Sequence, residues 1–243
     1  MREMVPTLLL LHGFTHTGAS WQGVRAALPR GYRALAPDIR GHGSAAEVGP
    51  VTLPAVLADL DAAAPQRLTL AGYSMGGRIA LHAALSPGLG GRVQRLVLIG
   101  ASPGIQDPTD RTARREADEQ LAGEIERMSI EAFAESWATT PVLAGQPDAV
   151  LAAVHGDRLR STPAGLARAL LGLGTGALPS LWDRLGGLGM PVTLIVGERD
   201  EKFTEIAGEM AARISKARRV VVPGAGHAVH LEAPGRVAEL LAS

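Results

Sequence analysis

Ser74 stands in the run GYSMGG, a single serine hemmed by glycines. An unassisted hydroxyl is a poor nucleophile and a poor base. It gains either role when an imidazole takes its proton and a carboxylate orients that imidazole and offsets its charge. The G-x-S-x-G spacing at 72–76 fits a nucleophile elbow. In an elbow the serine sits on a sharp strand-to-helix turn, its oxygen clear of the sheet edge, and the next backbone N–H faces the same point. In a chain with 30 glycines that spacing arises easily by chance. Its context is more specific, because the apolar run RLTLAG (67–72) precedes it and a helix-like stretch (76–86) follows.

Seven histidines compete for the base. His227, in VVVPGAGHAVHLEAP, lies just beyond the last apolar run; His230, three residues on, could face the same cavity but reads better as a structural residue at the start of the helix that follows. His12 in LHGF reads as a turn-shaping residue and His42 in RGHGS as a loop hydrogen-bonder, while His16, His82 and His155 have no motif around them. For the acid, Asp200 in LIVGERDEKF follows the penultimate apolar run; Glu198 is its near rival, Asp38 and Asp183 more distant ones. Serine, then acid, then histidine, each after a strand, is a chain order that favours Ser74, Asp200 and His227. An oxyanion site needs two backbone donors. Met75 N–H follows the serine, and HGF, at the end of the first apolar run, offers Phe14 N–H.

The elements that must position these residues are legible as six apolar runs: 7–11, 32–37, 67–72, 95–100, 191–197 and 218–224. Each is nearly continuous in Leu, Ile, Val and Ala, as expected of parallel strands covered on both faces. Helix-like stretches at 53–63, 76–86 and 204–213 alternate with them, which predicts a mostly parallel, doubly wound α/β sheet. The alternation lapses between about 102 and 188, where helical patterns predominate and Ser129 is placed to cap one helix. The organisation expected is a core of 1–101 and 189–243 with a helical cap inserted at 102–188, over the carboxyl ends of the strands. The glycine-rich run GLGTGALP (172–179) reads as a loop or hinge.

Lys+Arg and Asp+Glu both number 24, so no net charge draws the chain to nucleic acid or a membrane surface. The chain has no cysteine, which excludes disulfides, thiolate metal sites and a cysteine nucleophile. The apolar run before His12 is too short for a secretory core or a membrane span, and a cytoplasmic protein is expected.

Five segments, LLLLHGFTHTGASW, APDIRGHGS, GYSMGGRIAL, IVGERDEKF and GAGHAVHLEAP, together resemble the α/β-hydrolase fold over essentially the whole chain. More narrowly, GYSMGGR, ARREADEQLA followed by FAESW, LRSTPAGLARAL and GERDEKF resemble the menaquinone-pathway lyases called 2-succinyl-6-hydroxy-2,4-cyclohexadiene-1-carboxylate synthases. The resemblance implies a triad that acts as a base on a small tricarboxylic cyclohexene and expels pyruvate, with no metal and no organic cofactor. It gives Ser74, Asp200 and His227 the triad roles and sets Tyr73, Arg78, Arg114, Trp137 and Arg160 on substrate-binding positions. Lys202 and Phe203 also fall in a family-like segment.

Other readings stand beside these. The same triad serves an esterase or a carbon–carbon bond hydrolase, and the same scaffold serves a non-catalytic receptor. Arg78 could be a structural ion pair, Arg114 could pair with Asp118 and Arg160 with Asp157, and Arg111 or Arg115 could be the inward arginine. Trp137 could be a core aromatic. This fold often opens with an antiparallel hairpin before the HG strand, and here about half a dozen residues precede that strand. A sheet edge that is short or that pairs with another chain is expected, leaving monomer and homo-oligomer both open.

Overall fold

In the computed structural model, which describes residues 5–140, 143 and 146–243, the six apolar runs lie side by side as strands. They are β1 (Thr7–Leu11), β2 (Arg33–Leu35), β3 (Leu68–Tyr73), β4 (Val93–Ile99), β5 (Val192–Gly197) and β6 (Ala217–Val222). Their order is β2-β1-β3-β4-β5-β6, and every neighbouring pair is parallel. Strand β2 keeps only three of the six residues expected, because its pairing with β1 spans only Thr7–Leu9.

Alternation of side chains sorts the two faces. Leu8 and Leu10 of β1 pack with Trp21, with Val24 of α1 (Gln22–Ala27) and with Val237, Leu240 and Leu241 of the C-terminal helix α9 (Pro234–Ala242). Leu9 and Leu11 face the opposite layer, built by α2 (Leu53–Ala63), α3 (Met75–Ala84) and α8 (Glu201–Arg213). All four leucines are almost fully buried, each contributing about 1.5–3 kcal/mol of transfer free energy.

The order reverses between β1 and β3, the crevice where open α/β sheets place their chemistry. Leu11, the last residue of β1, is in register with Gly72 of β3. The turns that follow, His12–Phe14 and Tyr73–Met75, therefore leave the sheet side by side.

Between β4 and β5 the described chain forms α4 (Pro108–Glu126), α5 (Ile130–Ala138), α6 (Asp148–Arg158) and α7 (Pro163–Leu173). Local chemistry sets their starts. Asp107 accepts from the Thr109 and Asp110 N–H groups ahead of Pro108, Ser129 accepts from Ala132 N–H, and Thr162 from Gly165 N–H. Ile125, Phe133, Leu166 and Leu170 give these helices a small core of their own, against which Phe14 and Trp137 pack. The glycine-rich run is not a free hinge: it begins as the last turn of α7, and Asp118 on α4 accepts the Gly176 N–H at 3.4 Å. Among the described residues no helix is long and apolar enough to cross a membrane.

Candidate active site

Ser74 adopts φ 50° and ψ −110°, a backbone conformation that costs a non-glycine residue about 1–3 kcal/mol. Its surroundings hold it there. Its N–H donates to the Ile99 carbonyl at 2.9 Å, and α3 begins immediately after it. Gly76 lets α3 start hard against β1: a methyl group there would meet the Leu11 and His12 carbonyl oxygens at 2.3 and 2.4 Å.

His227 and Asp200 arrive from the loops after β6 and β5. His227 Nδ1 lies 2.6 Å from Asp200 Oδ2, and His227 Nε2 lies 3.2 Å from Ser74 Oγ. A proton on Nδ1, held by the carboxylate, leaves Nε2 as the acceptor for the serine hydroxyl, so the tautomer follows from the geometry. The Phe203 ring packs 4.5 Å from the imidazole. Two of the rival acids are engaged elsewhere: Glu198 accepts the Gly224 N–H, and Asp38 accepts from Gly18 N–H, Ser44 N–H and Ser44 Oγ; Asp183 lies in the turn Trp182–Gly187, before β5.

The HGF turn borders the serine, since a methyl group on Gly13 would lie 3.6 Å from Ser74 Cβ. Phe14 follows directly. Met75 is the first residue of α3, so its N–H has no intrahelical acceptor and lies at the positive end of the helix. His12, at the root of the turn, donates from Nδ1 to the Gly13 carbonyl and accepts the Ile39 N–H at Nε2, both at 2.9 Å. Burial holds its pKa down to about 4, which keeps it the neutral imidazole this double role requires.

Arg78 lies one turn into α3 and is 8% exposed. Its Nη2 donates to the Leu173 carbonyl at 3.3 Å and its Nε has no partner. Burial, and then the neighbouring Arg114 charge, push its pKa down to about 10, so it stays cationic at neutral pH. Arg114 donates from Nε to Asp118 Oδ1 at 2.7 Å and is half exposed. Arg115 turns to the Gly176 carbonyl. Trp137 stands edge-on to Phe14, with ring centroids 5.2 Å apart, and 5.6 Å from Phe133. It thus joins the inserted helices to the HGF turn.

A serine on a strained elbow, an imidazole and carboxylate in line with it, and a second turn beside it recur in one large family. The family model described as "Alpha/beta hydrolase family" matches residues 8–240. The chain belongs to that family. It is 36% identical to the 2-succinyl-6-hydroxy-2,4-cyclohexadiene-1-carboxylate synthase of Enterobacter sp. (strain 638), over 98% of this chain and 90% of that one. In structure it matches MenH from S. aureus with a TM-score of 0.92 at 28% identity, covering 99% of this chain and 93% of that chain. A thermophilic esterase from Thermogutta terrifontis, with malate bound, matches with a TM-score of 0.83 at 26% identity, over 98% and 88%.

Within this hydrolase fold, two further positions that the resemblance assigned to substrate are Tyr73, whose ring lies 5.3 Å from the His227 ring, and Arg160. Tyr73 is 2% exposed, its ring beneath Gly13 and 4.2 Å from the His230 ring. Burial, and then the Asp200 charge, raise its phenol far above the ordinary range. Arg160 is exposed and lines a separate cavity of about 570 Å³ with His16, Asp157 and His230, a cavity that neither Ser74 nor His227 lines. The arginine that α6 buries is Arg158, 1% exposed, with Nε 3.4 Å from Thr15 Oγ1. Burial lowers its pKa to about 10. Helical spacing carries the signal for it: Val154 is buried, and Arg158 lies four residues on, on the same face.

Proposed function

We propose that the chain is a pyruvate-eliminating lyase that forms 2-succinyl-6-hydroxy-2,4-cyclohexadiene-1-carboxylate, the product for which its relatives are named. The observation that carries this reading is Arg78: a buried guanidinium with no carboxylate partner among the described residues, one turn from a serine in line with His227 and Asp200. A buried, unpaired cation is costly until an anion meets it, and guanidinium suits a carboxylate best. Arg114 supplies a second positive charge nearby.

The product's structure dictates the chemistry. Making a 2,4-diene from a 3-ene removes a proton from ring carbon 2 and a leaving group from carbon 5. The carbon 2 proton is acidic because it is α to the succinyl carbonyl. Ser74 Oγ, with its own proton passed to His227 Nε2, takes that proton, and Asp200 offsets the imidazolium charge. The electron pair moves onto the carbonyl oxygen as an enolate, received by the Phe14 and Met75 N–H groups. Its return forms the two ring double bonds and breaks the carbon 5–oxygen bond. The enolpyruvate released takes up one proton and becomes pyruvate, so no water is consumed. Helices α4 to α7 serve as the cap over the site. The substrate is a small tricarboxylate, the setting is cytoplasmic, and neither nucleic acid nor membrane takes part.

The same geometry favours one other reading, an acyl-enzyme on Ser74 as in an esterase, which the likeness to the Thermogutta esterase supports. The two separate in one experiment. The purified chain is given 2-succinyl-5-enolpyruvyl-6-hydroxy-3-cyclohexene-1-carboxylate and, separately, p-nitrophenyl acetate. Pyruvate release with slow ester turnover supports the lyase. Rapid ester turnover with no pyruvate overturns it.

A further inference from the structure

The loop that carries Phe14 is tied to the inserted helices most closely by Asp157. Asp157, at the end of α6, is 8% exposed and accepts the Thr17 N–H at Oδ2 (2.9 Å) and the Thr17 hydroxyl at Oδ1. His16 Nδ1 lies 3.5 Å from the same Oδ2. Next to it, Arg158 Nε reaches Thr15 Oγ1 at 3.4 Å. Thr15 itself has φ 68°, a left-handed conformation that a β-branched residue avoids unless its surroundings impose it. On the other side the turn is closed by His16 N–H, which donates to the Gly13 carbonyl at 3.2 Å. Residues 13–17 are thus strained in the middle, fastened to β1 at one end and to Asp157 at the other. Phe14 lies between the two fastenings.

We propose that Asp157 is a positioning residue: from α6 it holds the 13–17 loop, and so the Phe14 N–H, where a developing oxyanion beside Ser74 can be received. The oxyanion site is then complete only with the inserted helices in place. Removing the carboxylate leaves two buried donors on Thr17 without an acceptor and frees the strained Thr15 to relax. The proposal rests on the lyase reading above, and its test separates the two.

The full chain is compared with Asp157→Ala, Asp157→Asn, Thr17→Val and Ser74→Ala for kcat and KM of pyruvate release, with melting temperature measured in parallel. Asp157→Ala is expected to lower kcat roughly 10- to 100-fold, the scale of a misplaced donor, while KM stays within about twofold. Asp157→Asn keeps an acceptor for the Thr17 N–H and a donor for its hydroxyl, and should recover most of that loss. A lower melting temperature with kcat unchanged would mean a purely structural role and overturns the proposal, as would an Asn variant no better than Ala. Should Asp157→Ala fail to fold, Thr17→Val decides: a several-fold loss in kcat at constant KM supports positioning, and no loss overturns it. An inactive Ser74→Ala beside a fully active Asp157→Ala removes only the role of Asp157. A fully active Ser74→Ala removes the catalytic reading itself.

Discussion

The backbone N–H of Arg78 donates to the Ser74 carbonyl at 3.0 Å, so a buried guanidinium and the elbow serine ride on a single helical turn. The serine cannot move without carrying the cation with it. Ser74 and Arg78 are thus held by one helix start, to which the loops after β5 and β6 bring Asp200 and His227.

Replacing Arg78 by alanine should therefore raise KM for the tricarboxylate about 10- to 100-fold, as expected when a charge-assisted hydrogen bond worth about 1.5–3 kcal/mol is lost. Turnover of a neutral ester should hardly change. Arg78→Lys should recover only part of the loss, because an ammonium lacks the planar two-pronged fork. Steady-state kinetics on both substrates checks this; equal losses on both would give Arg78 a structural role.

Ser74→Ala and His227→Ala should each lower kcat by about three orders of magnitude or more, and the double variant should be little worse than either single one. The geometry behind this is the 3.2 Å contact between Ser74 Oγ and His227 Nε2, which makes the pair one unit. Additive losses in a double-mutant comparison would show two residues acting independently.

Gly76→Ala should destabilise the fold by about 2–4 kcal/mol, because the new methyl group meets two backbone oxygens of the Leu11–His12 turn. Chemical denaturation measures it directly. A neutral result would mean that β1 and α3 can separate without loss.

Acid should weaken the fold well above the carboxylate range. His12 and His42 are held neutral by burial, with pKa values of about 4 and about 3 against about 6.5 in the unfolded chain. The unfolded state therefore binds more protons between about pH 4 and 6.5, and stability rises with pH across that window. The stabilisation is complete above about pH 6.5 and is lost as pH falls, each histidine giving a slope approaching about 1.4 kcal/mol per pH unit. Denaturation midpoints at pH 7.5, 6.5, 5.5 and 5.0 test this, with His42→Gln expected to flatten the dependence.

Much of the scaffold is legible in the sequence because it is local. A run such as TLLLL, five residues between Pro6 and the HG turn, has the length and bounds of a strand buried on both faces, and Ser129 sits where a helix needs a cap. The three residues chosen for following successive strands, Ser74, Asp200 and His227, are ones the fold brings together, since parallel strands deliver their ends to one edge. What escapes the sequence is non-local. Nothing near Thr17 announces that its hydroxyl will meet Asp157, 140 positions away. Arg158 ends α6 with its side chain buried, while Arg160, two residues on and past the helix end, is exposed, a difference that no motif marks. The left-handed Thr15 carries no glycine to mark it.

The claim on which the rest depends is that Ser74, His227 and Asp200 remove a ring proton instead of forming an acyl-enzyme. The most direct measurement is single-turnover pyruvate release from substrate carrying deuterium or hydrogen at ring carbon 2. Proton removal by the triad predicts slower release from the deuterated substrate, with the deuterium absent from the diene. Equal rates for the two substrates, together with an adduct on Ser74 in the quenched enzyme, would contradict it.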